Sequence, residues 1–467
     1  MHAVEAAIEI WNAGVAAVDS ERLVRQHLQL TPTHLIAAET AIPLAGIRRL
    51  VVVGAGKAGA GMARGAEAAL TDLPSRIERT GWVNVPEDCL QRLDWIHLHG
   101  ARPPGLNEPT SAAVEGTRQI LHLTGDLGNH DVCLLLLSGG GSALLCSPID
   151  GVPLEDKLQV TRLLASAGAP IQDLNLVRTW LSQVKGGGFA ARCPAGHLIA
   201  LIISDVIGDP LETIASGPTI SRASTSATAL QLLRNYAASD DVIPQSVLQT
   251  LQQGAVSLRN HLHVAGPQPA RRVVNRIIGN NQTAVHAAAK HARQLGFQVI
   301  DGGSAHTGEA AAEGAAFLRQ LQTIRDTPRT ETSSSLPSSA QPVCLINGGE
   351  PTVRLASIAW ESGQTRRGGR NQEFVLGAIA AQPDSEAWRD MCVLSGGTDG
   401  EDGPTDAAGA FADAELVRRS LQLQLNPSAF LAINNSYPFF ESTHGLLLTG
   451  PTHTNVMDLR VGIVLPS

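Results

Sequence analysis

Residues 48–59, Arg-Arg-Leu-Val-Val-Val-Gly-Ala-Gly-Lys-Ala-Gly, join a β-branched run ending at Val53 to a corner containing Gly54, Gly56 and Gly59. The small residues from Ala60 to Leu70 then read as a helix. Strand, glycine corner and helix together make a phosphate-binding arrangement. Absent side chains let the backbone approach an anion, and the helix start supplies N–H groups. As a bare pattern Gly54-x-Gly56-x-x-Gly59 has low specificity. Its distinctive member is Lys57, a cation fixed inside the turn. It is not a Walker A lysine, because Val51 occupies that motif's first glycine position and Ala58 stands where a hydroxyl would hold Mg²⁺.

The same transition recurs further along the chain. The apolar run Val132 to Leu137 enters Ser138-Gly139-Gly140-Gly141-Ser142-Ala143, a second anion cradle or a plain tight turn. A third run, Leu198 to Ile203, enters Ser204-Asp205-Val206-Ile207-Gly208-Asp209-Pro210, followed by Ser216-Gly217-Pro218-Thr219. Asp205 sits where an open parallel sheet presents its chemistry, although an Asx-type turn cap would use the same residue. Between them, Asn175 to Ala190 reads as a helix capped by Gly186, with Arg178, Ser182 and Lys185 within reach of one face. Strands alternating with helices predict a doubly wound, Rossmann-like α/β domain over residues 1–268, ending near Gly266-Pro267-Gln268-Pro269. Before it, apolar spacing from Val4 to Leu28 predicts two packing helices, the second starting at Asp19-Ser20.

A second α/β domain is expected over residues 269–467. It opens with the strand Arg272 to Ile278, Gly279-Asn280-Asn281 and a helix that Gly296 ends, followed by the strand Gln298 to Ile300. Residues 325–341 are rich in Thr, Ser and Pro without apolar period, the mark of a flexible surface insertion. The strand Val343 to Ile346 leads to Gly348-Gly349-Glu350 and a hairpin. Gly368-Gly369-Arg370-Asn371-Gln372-Glu373 then opens the helix Phe374 to Ala381, where Arg370 can present its planar fork to a carboxylate or phosphate. The apolar run Met391 to Leu394 precedes the acidic loop Ser395 to Gly409, which carries Asp399, Glu401, Asp402 and Asp406 among glycines. Such a loop is read as neither helix nor sheet. Its crowded like charges call for a hard cation such as Mg²⁺, an arginine or a phosphate-metal complex.

Composition narrows the class. The chain has 467 residues, a net charge of -8 and 17% charged residues, so no general attraction to nucleic acid or to an anionic membrane is expected. Only 3% of residues are aromatic, so the cores are aliphatic. Six cysteines lie scattered, without a CxxC pair, and read as reduced thiols of a cytoplasmic protein. No apolar run reaches the ~18 residues of a membrane span.

Several anion-cradling turns, an in-turn lysine, an arginine at a helix start and carboxylates in both halves fit Mg²⁺-dependent phosphoryl transfer. In that chemistry donors neutralise the phosphates, a metal bridges them and a carboxylate positions or deprotonates the attacking hydroxyl. A Ser-His-Asp hydrolase is disfavoured, since Gly140-Gly141-Ser142-Ala143-Leu144 lacks the last glycine of a nucleophile elbow. No HExxH zinc pattern is present.

The segments 54–59, 137–143, 177–187, 204–219, 368–373, 398–409 and 450–458 resemble, in order and over almost the whole chain, the glycerate 2-kinase family, whose C-terminal part is the MOFRL domain. The resemblance implies ATP-dependent phosphorylation of the 2-hydroxyl of D-glycerate, in a cleft between a Rossmann-like domain and a MOFRL domain. It implies that Lys57 and Arg370 neutralise the glycerate carboxylate and the migrating phosphoryl group. Asp205 or Asp399 is expected to coordinate Mg²⁺ or accept the hydroxyl proton. Gly54, Gly56, Ser138, Gly139, Gly140, Gly141, Ser142, Asn281 and Glu350 are the expected nucleotide-binding positions. The partner is then a small molecule rather than nucleic acid or membrane, and a homodimer stays open. One departure from the family pattern is His453, which stands where glycine is usual. The rival enzyme is a hydroxypyruvate reductase using Gly54, Gly56 and Gly59 for NAD(P)H, with Asp72 near the ribose-binding distance. A sugar-acid-binding protein without catalysis is the third reading.

Overall fold

The protein is described by a computed structural model covering residues 2–103, 106, 108–221, 224–254, 272–327, 341–357 and 366–466. The chain divides into two compact units, Ser20–Ile278 and a second made of Met1–Asp19 with Gly279–Ser467.

The first unit opens with a small antiparallel sheet, β1 (Leu28–Leu30), β2 (His34–Ala37) and β3 (Thr40–Pro43). Its main sheet contains β4 (Arg49–Ala55), β5 (Glu78–Pro86), β6 (Ile96–Arg102), β7 (Asp131–Leu137), β8 (His197–Ile203) and β9 (Arg272–Gly279), in the order β6-β5-β4-β7-β8-β9. The pairs β4/β5, β5/β6, β4/β7 and β7/β8 are all parallel. Strands covered on both faces must be apolar throughout, and β7 and β8 are almost continuous runs of buried Val, Leu, Ile and Cys. Counted from β4, the order is that of the doubly wound dinucleotide fold, and it reverses between β4 and β7. Asp131 pins the amino edge there. Burial works to raise its carboxyl, but the bonds it accepts from Arg48 and Arg49 win and hold it down at about 2.

The second unit has the order β10-β11-β15-β12-β13-β14. Its strands are β10 (Gln298–Asp301), β11 (Val343–Gly349), β12 (Met391–Gly397), β13 (Gly409–Asp413), β14 (Leu446–Leu447) and β15 (Asp458–Val464). The pair β10/β11 is parallel, whereas β15 runs antiparallel between β11 and β12. One face is covered by the helices Ala3–Ala17 and Asn281–Gln294, through Ile10, Trp11, Val285 and Ala288 against Ile346, Leu394 and Val461. The opposite face carries Ala310–Asp326 and Arg370–Ala381, with Phe317 and Phe374 packed edge to face.

Several boundaries differ from the sequence expectation. The expected division at 266–269 lies outside the described residues. The strand beginning at Arg272 closes the first sheet instead of opening the second domain, and the helix Ala3–Ala17 belongs to the second unit. The helix expected from Asn175 to Gly186 ends at Trp180, and Gly186 turns at φ +55° within a loop. Ser395–Gly397 is strand rather than loop. The expected insertion 325–341 is helical as far as Asp326, and 328–340 lie outside the described residues. All six cysteines are free thiols, five of them buried.

Candidate active site

In the first unit both glycine corners sit at the carboxyl ends of β4 and β7, the two strands flanking the topological switch. They are laced together. Lys57 N–H donates to the Gly139 carbonyl at 2.8 Å, and Ala58 N–H donates to Ser138 Oγ at 3.0 Å. The approach demands glycine at 56, where φ is +151° and a Cβ would stand 2.0 Å from Ser138 Oγ. At Gly140, with φ +76°, a Cβ would stand 3.3 Å from Arg102 Nη2 and 3.5 Å from Lys57 Cγ. The Arg102 guanidinium and the Lys57 stem therefore border the same glycine corner. Gly54 serves a different end: its missing side chain lets β4 press against the Leu136 carbonyl, 2.3 Å from where a Cβ would be.

Behind the second corner, Lys185 is 2% exposed and donates to the Ser142 carbonyl at 2.8 Å and to Ser216 Oγ at 3.0 Å. Asp205 follows Ser204 directly at the carboxyl end of β8 and is half-buried.

In the second unit Arg370 opens its helix and forms a fork on Asp458: Nε donates to Oδ2 at 2.8 Å and Nη2 to Oδ1 at 3.0 Å. Nη1 donates to Glu350 Oε1 at 3.0 Å. These bonds engage three of the five guanidinium N–H groups, leaving one on each terminal nitrogen for another acceptor. Asp458 is fully buried at the start of β15 and also accepts from Asn371 Nδ2 at 3.0 Å. Such an aspartate fixes the direction of the fork. Burial pushes the Glu350 carboxyl up against the pull of Arg370, and the charges of Asp458 and Asp399 add to the rise.

Protein donors meet several carboxylates of the acidic loop. Asp402, 2% exposed, accepts from Asn371 N–H at 2.9 Å and Gln372 N–H at 2.8 Å, capping the helix that Arg370 begins. Burial pushes its carboxyl up to about 7 against those donors. Asp406 accepts from the Tyr437 hydroxyl, and Asp399 Oδ1 accepts from Glu401 N–H at 3.2 Å. Protein donors thus relieve much of the crowding that the sequence assigned to a cation. Among the described residues, no group of three or more His, Cys, Asp or Glu side chains could hold a metal by itself.

Of the expected residues, Lys57, Gly56, Ser138, Gly139 and Gly140 come together in the first unit, and Arg370 and Glu350 in the second. Asn281 braces the Arg370 partner from behind: its amide donates to the carbonyls of Val456 and Asp458. His453 adopts φ +57°, the left-handed conformation that glycine takes most easily. The sequence reading missed Arg102 and the pairing of Asp458 with Arg370. A charge at a strand's carboxyl end and an aspartate opening an apolar strand were the available signals.

Comparison with known proteins agrees with both units. Residues 6–252 match the family described as domain of unknown function DUF4147, and residues 343–458 match the MOFRL family. A glycerate kinase of Rattus norvegicus is 36% identical, over 100% of this chain and 94% of that protein. A D-glycerate 2-kinase of Thermotoga maritima is 32% identical over 98% of each. The crystal structure of a Thermotoga maritima glycerate kinase superposes with a TM-score of 0.77 at 31% identity, covering 99% of both chains. With relatives this similar over its whole length, and with the two glycine corners and the Arg370 fork in place, the chain belongs to the glycerate 2-kinase family.

Proposed function

We propose that the protein is a glycerate kinase that transfers the γ-phosphoryl group of ATP to the 2-hydroxyl of D-glycerate, giving 2-phosphoglycerate and ADP. The observation that carries this reading is the pair of interlocked glycine corners with Lys57 between them, at the switch point of a parallel sheet. Corners of this kind hold phosphates by backbone approach, and a fixed lysine neutralises them.

Lys57 and Arg370 are assigned to the glycerate carboxylate and the migrating phosphoryl group, Arg370 through the two N–H groups that Asp458 and Glu350 leave over. Residues 138–142 hold the nucleotide phosphates. As the 2-hydroxyl oxygen bonds to phosphorus, the bond to the ADP oxygen breaks and the hydroxyl proton passes to Asp205 or Asp399. The other aspartate is assigned to Mg²⁺. A single carboxylate suits this ion, which takes most of its remaining ligands from water and phosphate. When bound, Mg²⁺ neutralises the charge that develops on the phosphoryl oxygens.

The free thiols fit a reducing compartment, and among the described residues no helix is long and apolar enough to cross a membrane. We accordingly place the enzyme in the cytoplasm; a homodimer is checked by light scattering. Asp72, the acid that the reductase alternative would use for the ribose, lies in the turn after the helix Gly59–Ala69 and not at the end of β5. A coupled assay separates the readings: glycerate-dependent ADP release is expected, and NADH oxidation with hydroxypyruvate would replace the proposal. Phosphorus NMR of the product distinguishes the 2- from the 3-phosphate. Lys57→Ala and Arg370→Ala are each expected to lower turnover by about two or more orders of magnitude with the fold intact. Near-normal activity in either removes that residue from the mechanism.

A further inference from the structure

Three side chains of the first unit form a hydrogen-bonded chain, and the proposed roles use only Ser142 of them. Lys185 Nζ lies 3.0 Å from Ser216 Oγ, and Ser216 Oγ lies 2.9 Å from Ser142 Oγ. Lys185 and Ser216 are 2% and 0% exposed, whereas Ser142 is half-buried on the glycine corner. The segment holding Ser216 is strained. Ala215, Ser216 and Gly217 all have left-handed φ, at +50°, +62° and +60°, where two L side chains cost energy that only a rigid surrounding sustains. That surrounding is supplied by Gly186 N–H on the Ser216 carbonyl at 2.9 Å, Gly187 N–H on the Gly217 carbonyl at 2.8 Å, and Ala215 packed on Gly141.

The direction of the chain follows from what each group can do. An ammonium donates and cannot accept, so Ser216 Oγ accepts from Lys185. Among the described residues the buried Ser216 hydroxyl has no acceptor other than Ser142 Oγ, so its own proton goes there. Ser142 Oγ is then an acceptor on its inner side. Its proton, with no acceptor among the described side chains and carbonyls, is turned outward from the corner. Donors aligned head to tail from a fixed cation also polarise one another.

We infer that Ser142 is a dedicated donor to a phosphoryl oxygen of the nucleotide, and that Lys185 and Ser216 are positioning residues that orient its hydroxyl. The identity of the ligand rests on the kinase reading; the direction of the relay does not.

The test uses the full-length enzyme with Ser142→Ala, Ser216→Ala and the double variant, measuring KM for ATP and for glycerate and the Kd for inorganic tripolyphosphate. Each single variant is expected to raise the ATP KM and the tripolyphosphate Kd about tenfold, with the glycerate KM unchanged. The double variant should be no worse than Ser142→Ala alone, because both changes cut one path. Losses that add in the double variant, or unchanged ATP KM and tripolyphosphate Kd in Ser142→Ala, overturn the relay. If Ser216→Ala does not fold, Ser142→Ala, outside the strained segment, decides alone. A wild type that binds tripolyphosphate through this relay but does not phosphorylate glycerate would refute the kinase reading and keep the inference. An active wild type with unaffected variants would do the reverse.

Discussion

Replacing Asp402 by asparagine sets burial against hydrogen bonding in a way that stability measurements resolve. The Asp402 carboxyl is buried beneath the start of the helix Arg370–Ala381, accepting two backbone N–H groups, and burial lifts it to about 7. In the unfolded chain an aspartate titrates near ~3.9. From about pH 4 to about pH 7 the folded protein therefore keeps a proton that the unfolded chain has released, and stability falls as pH rises through that window. At about 1.4 kcal/mol per pH unit, the loss across about three units is about 4 kcal/mol, complete above about pH 7. The amide of the Asp402→Asn variant has no such titration. It also offers one carbonyl where two N–H groups need acceptors, costing about 1–3 kcal/mol. Urea unfolding at a series of pH values should show the variant less stable near about pH 4, the gap closing as pH rises, and the order reversed near about pH 7, where the wild type has lost more than the asparagine costs. Parallel curves for the two proteins would refute this. They would mean that the helix N–H groups outweigh burial and hold Asp402 ionised throughout.

Other perturbations follow from the same geometry. Asp131→Asn removes a carboxylate held at about 2 by Arg48 and Arg49, a contribution of about 3 kcal/mol that is present above about pH 4 and lost as pH falls toward about 2. Urea titration at neutral pH should show that loss, and an unchanged midpoint would contradict it. Gly56→Ala puts a methyl group 2.0 Å from Ser138 Oγ at φ +151°. About 2–5 kcal/mol of destabilisation and a collapse of ATP binding are expected, read by thermal melting and nucleotide titration. Asp458→Asn leaves Arg370 without its charged fork partner while keeping the shape. Turnover should fall about tenfold or more with little change in the ATP KM, and steady-state kinetics check the split.

What the sequence made legible was local chemistry at strand ends. A β-branched run followed by glycines predicts both the strand and its corner, because nothing else in the chain needs to be known, and β4, β7 and β8 end close to where that reading put them. Sheet membership was not legible. Arg272–Gly279 reads as a strand by itself, and only its pairing in space makes it the edge strand that closes the first sheet. The helix Ala3–Ala17 shows an apolar face without naming its partner, which proves to be β12 and β15, with Trp11 Nε1 donating to the Gly396 carbonyl. Burial of charge was equally hidden. Nothing local separates Asp402, sealed under a helix start, from Asp399 three positions earlier.

The candidate residues of the two units differ in what holds them, and this bears on which substitutions each tolerates. In the first unit the restraint is backbone: glycine corners at φ +151° and +76°, and a left-handed run at Ala215–Gly217, fix main-chain atoms that side-chain changes elsewhere do not move. In the second unit the restraint is charge. Arg370 takes its aim from Asp458, Asp458 is braced by Asn371, and the helix presenting both Arg370 and Asn371 is capped by Asp402. A backbone restraint is lost by adding atoms, whereas a charge restraint is lost by removing one proton acceptor. Glycine substitutions should therefore disable the first unit's corners across all pH values. The second unit's arginine fork should instead fail when its partner is exchanged for a neutral residue of the same shape, as in Asp458→Asn.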